Sequence, residues 1–169
     1  MLKKINILEI IKNHFGTLIN DNSNKREFDD YLTFLILPII FATGLVYYKI
    51  ALSEQIINIV ITALSIFVGL LFNVVVLLFD IVKRDSTQRL KNKVLKQILA
   101  NITFTILLSL VTILFTVLTF IDESRVKLVA IWFVYFLLSN FLFTVLMILK
   151  RMYILFKNEI DCIENSENL

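Results

Sequence analysis

The residues with any capacity for chemistry inside the apolar stretches of this chain are amides, hydroxyls and one border carboxylate. Laid on a helix turning about 100° per residue, Asn58, Thr62, Ser65, Gly69, Asn73 and Asp80 fall within an arc of roughly 80°. Asn101, Thr105, Ser109, Thr112, Thr116 and Thr119 step by four, four, three, four and three residues, so they share one face of a second helix. Shorter rows occur at Ser139, Asn140 and Thr144, and at Thr33, Gly44 and Tyr48. Such groups hydrogen-bond, and two uses compete for them. In the commoner one they are packing seams, where small residues let backbones approach and Asn or Thr side chains bond across helices. In the other, several copies assemble so that one row faces a central path lined by Asn, Thr and Ser. Both uses fit one protein, with one row packing internally and the other facing an axis.

The remaining candidates are fewer. Asp80 precedes Lys83 and Arg84 by three and four residues, a spacing for a helix-surface ion pair, or it forms part of a carboxylate ring at the inner mouth of an oligomeric pore. Cys162 has no partner for an intramolecular disulfide, and His14 has no Cys or His at metal-ligand spacing, so both read as structural residues. There is no Gly-rich phosphate loop and no nucleophile elbow, and paired acids occur only at Asp29–Asp30 and Asp122–Glu123, at span borders. No enzymatic constellation, metal or cofactor is implied. No Asp, Glu, Lys, Arg or His lies near the middle of an apolar run, which disfavours a carrier with a buried ion site.

The elements that must position these residues follow from hydropathy. Of the 169 residues 58% are apolar and the mean hydropathy is +0.82, against roughly 45–50% apolar content in soluble domains. The reading is an all-α polytopic membrane protein with four transmembrane helices and an N-terminal amphipathic helix. The expected spans are "YLTFLILPIIFATGLVYYKI", then about 56–82, about 98–121, and "VKLVAIWFVYFLLSNFLFTVLMILKR". Pro38 bends the first rather than breaking it. The domain division is 1–30 as cytoplasmic amphipathic helix and linker, 31–151 as the bundle with a basic loop at 83–97, and 152–169 as a tail.

Five Lys and Arg precede the first span, six lie between the second and third, and three follow the fourth, whereas the other two loops hold three together. Positive-inside retention therefore places both termini in the cytoplasm. The central cluster is Lys83, Arg84, Arg89, Lys91, Lys93 and Lys96, in a loop without Gly or Pro that reads as largely helical. Retention accounts for it; contact with anionic headgroups is the alternative, and nucleic acid is disfavoured because no aromatic residues interleave with the charges. At the amino terminus Glu9, Lys12 and Asn13 interrupt what resembles a signal-peptide core. Leu2, Ile5, Leu8, Ile11 and Phe15 instead repeat at helical spacing, for an interfacial helix or one packed on the bundle end.

The stretch "ALSIFVGLLFNVVVLLFDIVKR", residues 63–84, resembles segments of small four-span bacterial membrane proteins associated with anti-phage defence systems. The resemblance covers one span. It implies an effector that perturbs the membrane, or a membrane-anchored sensor working with a cytoplasmic partner. The expected function is thus an oligomeric pore-forming or membrane-perturbing effector of a bacterial defence or toxin system. The alternatives are a sensor or scaffold subunit that recruits a cytoplasmic protein, and a holin-like protein. The expected partners are the lipid bilayer and further copies of the chain.

Overall fold

The structure, a computed structural model, describes residues 7–17, 35–50, 52–84, 89–121 and 124–167. It contains five α-helices: α1 (Ile7–Gly16), α2 (Leu37–Tyr47), α3 (Glu54–Arg84), α4 (Arg89–Leu118) and α5 (Ser124–Glu167). No strand occurs among the described residues. Three helices are long and apolar enough to cross a bilayer, over Glu54–Asp80, Val94–Leu118 and Arg125–Lys157. The chain is therefore read as a helical membrane protein. The stretch expected to form the first span contains the shorter apolar helix α2, of 11 residues, and residues 31–34 lie outside the described region, as does the expected linker at 18–30.

The long helices begin and end for local reasons. Ser53 caps α3: its hydroxyl accepts from the Ile56 N–H at 3.3 Å and its carbonyl from the Ile57 N–H at 3.0 Å. At the far end α3 continues to Arg84 and α4 starts at Arg89, so helix covers most of the loop that lacks Gly and Pro; residues 85–88 lie outside the described region. α4 closes by tightening, with the N–H groups of Thr119, Phe120 and Ile121 each reaching back three residues. Pro38 sits in the first turn of α2, after a wider π-type turn at residues 35 and 36; the part of the expected span that precedes it, residues 31–34, lies outside the described region, and so does any bend there. Lys49 then ends α2 with φ 51°, while Tyr48 and Lys49 donate back to Gly44 and Val46.

α4 is the central helix, packed by α3, α5 and α1, and α2 lies on α5. The α3 contribution is a heptad row, Ile57, Leu64, Leu71 and Leu78, all buried. Leu71 and Leu78 meet Leu95, Ile98 and Ile102 of α4 and Ile148 and Leu155 of α5 in one apolar cluster; Leu64 meets Leu108, Leu137 and Phe141 in another. Rings reinforce the contacts, with Phe115 stacked on Phe133 at 4.8 Å and Phe67 set edge-on to Phe141 at 5.4 Å. α2 is tied to α5 by two hydrogen bonds, from Trp132 Nε1 to the Thr43 hydroxyl at 3.1 Å and from the Tyr135 hydroxyl to the Ile50 carbonyl at 2.9 Å.

Candidate functional site

The two long polar rows have opposite fates. The α4 row is the interior of the bundle: Asn101, Thr105, Ser109, Thr112 and Thr116 are fully buried and Thr119 is 3% exposed. Thr144 and Ser139 of α5, its most extensive neighbour, are buried too. Each hydroxyl in the row donates into its own helix, Thr105 to the Asn101 carbonyl, Ser109 to Thr105, Thr112 to Leu108, Thr116 to Thr112 and Thr119 to Thr116, at 2.6–2.8 Å. A hydroxyl has one proton, so none of these groups has a donor left to offer a neighbouring helix. The α4 row works by being small and locally satisfied, which makes it a packing seam.

The α3 row faces away from the other described helices. Asn58, Thr62, Ser65, Gly69, Asn73 and Asp80 are all exposed. Helical geometry sets the row about 150° from the buried Ile57–Leu78 row, almost diametrically opposite the contact with α4. Only 11% of this span's apolar window is buried inside the subunit, against 33% for each of the other two, so α3 is the peripheral helix. Ser65 donates to its own helix, to the Ile61 carbonyl at 2.8 Å, and a methyl group added at Gly69 would meet nothing within 4 Å. Asp80 and Lys83 are both exposed, and no ion pair joins them among the described residues. Lys96 is exposed as well; the side chains of Arg84, Arg89, Lys91 and Lys93 lie outside the described region.

A third constellation was not expected. Asn101, the first residue of the α4 row, is the centre of a buried polar knot that fixes α1 to the bundle. His14 is 1% exposed, its ring stacked on Phe104 at 3.8 Å and nearly parallel. Its Nδ1 lies 2.9 Å from the Asn101 side-chain amide, and the Thr17 hydroxyl lies 2.9 Å from the same amide and 2.7 Å from the His14 carbonyl. From α5, Arg151 Nη2 donates to the Thr17 carbonyl at 2.6 Å, so a cation caps the negative end of α1.

The proton count in this knot fixes the amide's orientation. With Asn101 Oδ1 toward His14 and Thr17, the single Thr17 proton is claimed by two acceptors, while the buried Asn101 Nδ2 has no partner. Rotating the amide by half a turn resolves both faults. Nδ2 then donates one proton to His14 Nδ1 and the other to the Thr17 hydroxyl, which keeps its own proton for the His14 carbonyl. Nδ1 can accept the amide proton only when it carries none itself, so His14 is neutral with its proton on Nε2. Burial drives the imidazole the same way: chiefly by desolvation, with Arg151 adding repulsion, its pKa is lowered from 6.5 to about 4.

The face of α1 that packs is therefore not the expected apolar one. Leu8 is 77% exposed and Phe15 is exposed, with Ile11 half-buried, because the His14–Thr17 side, about 120° around the helix, finds its partners on α4 and α5. Leu2 and Ile5 lie outside the described residues. The spacing of His14 and Thr17, one turn apart, was the available signal; their partners Asn101 and Arg151 are remote in sequence and carry none.

No family model, no curated protein and no solved structure significantly matches the chain.

Proposed function

We propose that the chain is a subunit of a homo-oligomer in the bacterial inner membrane, assembled through the outward polar row of α3 as a pore-forming or membrane-perturbing effector of a defence or toxin system. One observation carries the reading: Asn58, Thr62, Ser65, Gly69 and Asn73 are exposed, within a span, on the side of α3 that no helix among the described residues covers. Asn73 lies six residues, about 9 Å, from the midpoint of Glu54–Asp80, well within a hydrocarbon layer about 30 Å thick. An amide left against lipid has no hydrogen-bond partner, at a cost of several kcal/mol. Other copies of the row, or the water they enclose, remove that cost.

In this reading the chain has four spans, the first formed by α2 with the residues preceding it. The ends of α3, α4 and α5 that share the cluster of Leu78, Leu95 and Leu155 carry Lys83, Lys96, Lys150 and Arg151. Lys and Arg excess assigns that end, with both termini, to the cytoplasm. α1 lies there at the interface, with Leu8 and Phe15 toward the acyl boundary and Asp80 at the inner mouth. The resemblance of residues 63–84 to small anti-phage membrane proteins supports the effector role.

Dye release from liposomes holding purified protein tests the proposal against Asn73→Leu. The wild-type chain is expected to release dye and the variant to lose most of that release; no release under any condition, acid and partner-protein addition included, refutes it.

A second reading has one observation in its favour. α5 runs on to Glu167, ten residues beyond the apolar segment ending at Lys157, about 15 Å of further helix. Such a projection suits a membrane-anchored sensor or scaffold that presents a helix to a cytoplasmic partner. Deleting residues 158–169 abolishes function in that case and spares dye release in the first.

A further inference from the structure

Two clefts open on either side of Thr17, where the end of α1 meets α4 and α5. The larger, about 510 Å³, is lined by Lys96, Gln97 and Thr17 over an apolar floor that includes Ile10, Leu99 and Ala100. The smaller, about 310 Å³, is lined by Lys150, Arg151, Gln97 and Thr17 over Val94, Met147 and Ile154. Thr17 and Gln97 line both, so the clefts are neighbours at the α1 terminus. Among the described residues their combined lining holds three cations and no carboxylate. Lys96 lies two residues inside the start of the Val94–Leu118 span, and Lys150 and Arg151 lie within the last turns of Arg125–Lys157, so the charges stand at headgroup depth with the apolar floors beside them.

We propose that this junction is a binding site for an anionic phospholipid of the adjacent leaflet. The phosphate sits near Thr17 and Gln97 in the combined field of Lys96, Lys150 and Arg151, and the acyl chains follow the apolar floors out to the bilayer. A free phosphate matches the charge but leaves those floors uncovered, whereas a zwitterionic lipid covers the floors but brings its own cation to a site that already has three. Basic pockets between transmembrane helices commonly hold anionic headgroups in this way. Bound lipid would also bridge α1 to α4 and α5 at the point where Thr17 already ties them. The site rests on the membrane reading of the chain and not on the pore.

Native mass spectrometry of the purified full-length chain, titrated with phosphatidylglycerol, phosphatidylcholine or inorganic phosphate, tests it. Phosphatidylglycerol is expected to be retained in preference to phosphatidylcholine. Lys96→Gln and Lys150→Gln are each expected to weaken that retention about five-fold, and Lys83→Gln, at the same end but outside both clefts, to leave it unchanged. All three lysines are exposed, and the fluorescence of Trp132, the chain's only tryptophan, reports that each variant is folded. Equal retention of the two lipids overturns the proposal, as does an equal loss in all three variants, which would indicate unlocalised surface charge. Competition by phosphate at concentrations matching the lipid overturns the lipid assignment. Dye release is read separately, so a failed pore leaves this test intact.

Discussion

Acid should release α1 from the bundle, and the polar knot sets the size of the effect. His14 is neutral when docked, with its pKa at about 4, and titrates near 6.5 once undocked. The docked state therefore binds fewer protons throughout that window, and falling pH favours undocking. Docking is at full strength above about pH 6.5, weakens by about 1.4 kcal/mol per unit below that, and has lost about 3 kcal/mol once the pH reaches about 4. Protonation places a buried imidazolium beside Arg151; the Asn101 amide can turn its oxygen back toward Nδ1, but burial and the neighbouring guanidinium still oppose the charge. The assay is the mobility of a spin label at Leu8→Cys, an exposed position on α1, in a Cys162→Ser background reconstituted in liposomes. Mobility is expected to rise between pH 6.5 and 4. His14→Gln keeps a hydrogen-bonding partner for Asn101 without the titration, so its profile should be flat. Glu9 is a further ionisable group on α1. An unchanged transition in the His14→Gln variant would therefore transfer the effect to other groups and refute the reasoning.

Other perturbations separate the two rows and the knot. Asn101→Leu leaves the Nδ1 of His14 and the Thr17 hydroxyl short of a buried partner, at about 1–3 kcal/mol each, so amide exchange over 7–17 should accelerate at neutral pH. Thr112→Leu forces a larger side chain into a fully buried seam and should destabilise the subunit by about 1–3 kcal/mol in denaturant titration, while Thr62→Leu on α3 should leave its stability unchanged. A Cβ added at Gly69 meets no described atom within 4 Å, so Gly69→Leu should fold normally yet migrate as a smaller species in detergent. Lys49→Gly removes a side chain held at φ 51° and should stabilise α2's end by about 1 kcal/mol, read as a higher melting temperature.

Hydropathy and charge made the long helices legible because each span answers a one-dimensional requirement of length and apolarity. The span expected at about 56–82 is helical from Glu54 to Arg84, and the run closing on Lys150 and Arg151 is part of the longer α5. The polar rows were legible for the same reason, as periodicity along one helix. Which row would be buried was not, since that depends on which face each helix turns to its neighbours. Ile57, Leu64, Leu71 and Leu78 contain the answer for α3, but in an apolar helix a heptad of Leu and Ile is hard to see among other Leu, Ile and Val residues. The sequence carries no sign of what His14 holds, because its partners lie 87 residues away at Asn101 and, through Thr17, 134 residues away at Arg151. Only a fold brings such residues together.

Disulfide trapping in native membranes tests most directly whether the α3 row meets other copies of the chain. In a Cys162→Ser background, single cysteines at Ser65, Gly69 and Asn73 are compared with one at Leu142, an exposed position on α5. Covalent dimers are expected at the α3 positions and none at Leu142. Trapping at Leu142 alone, or at no position, would contradict it.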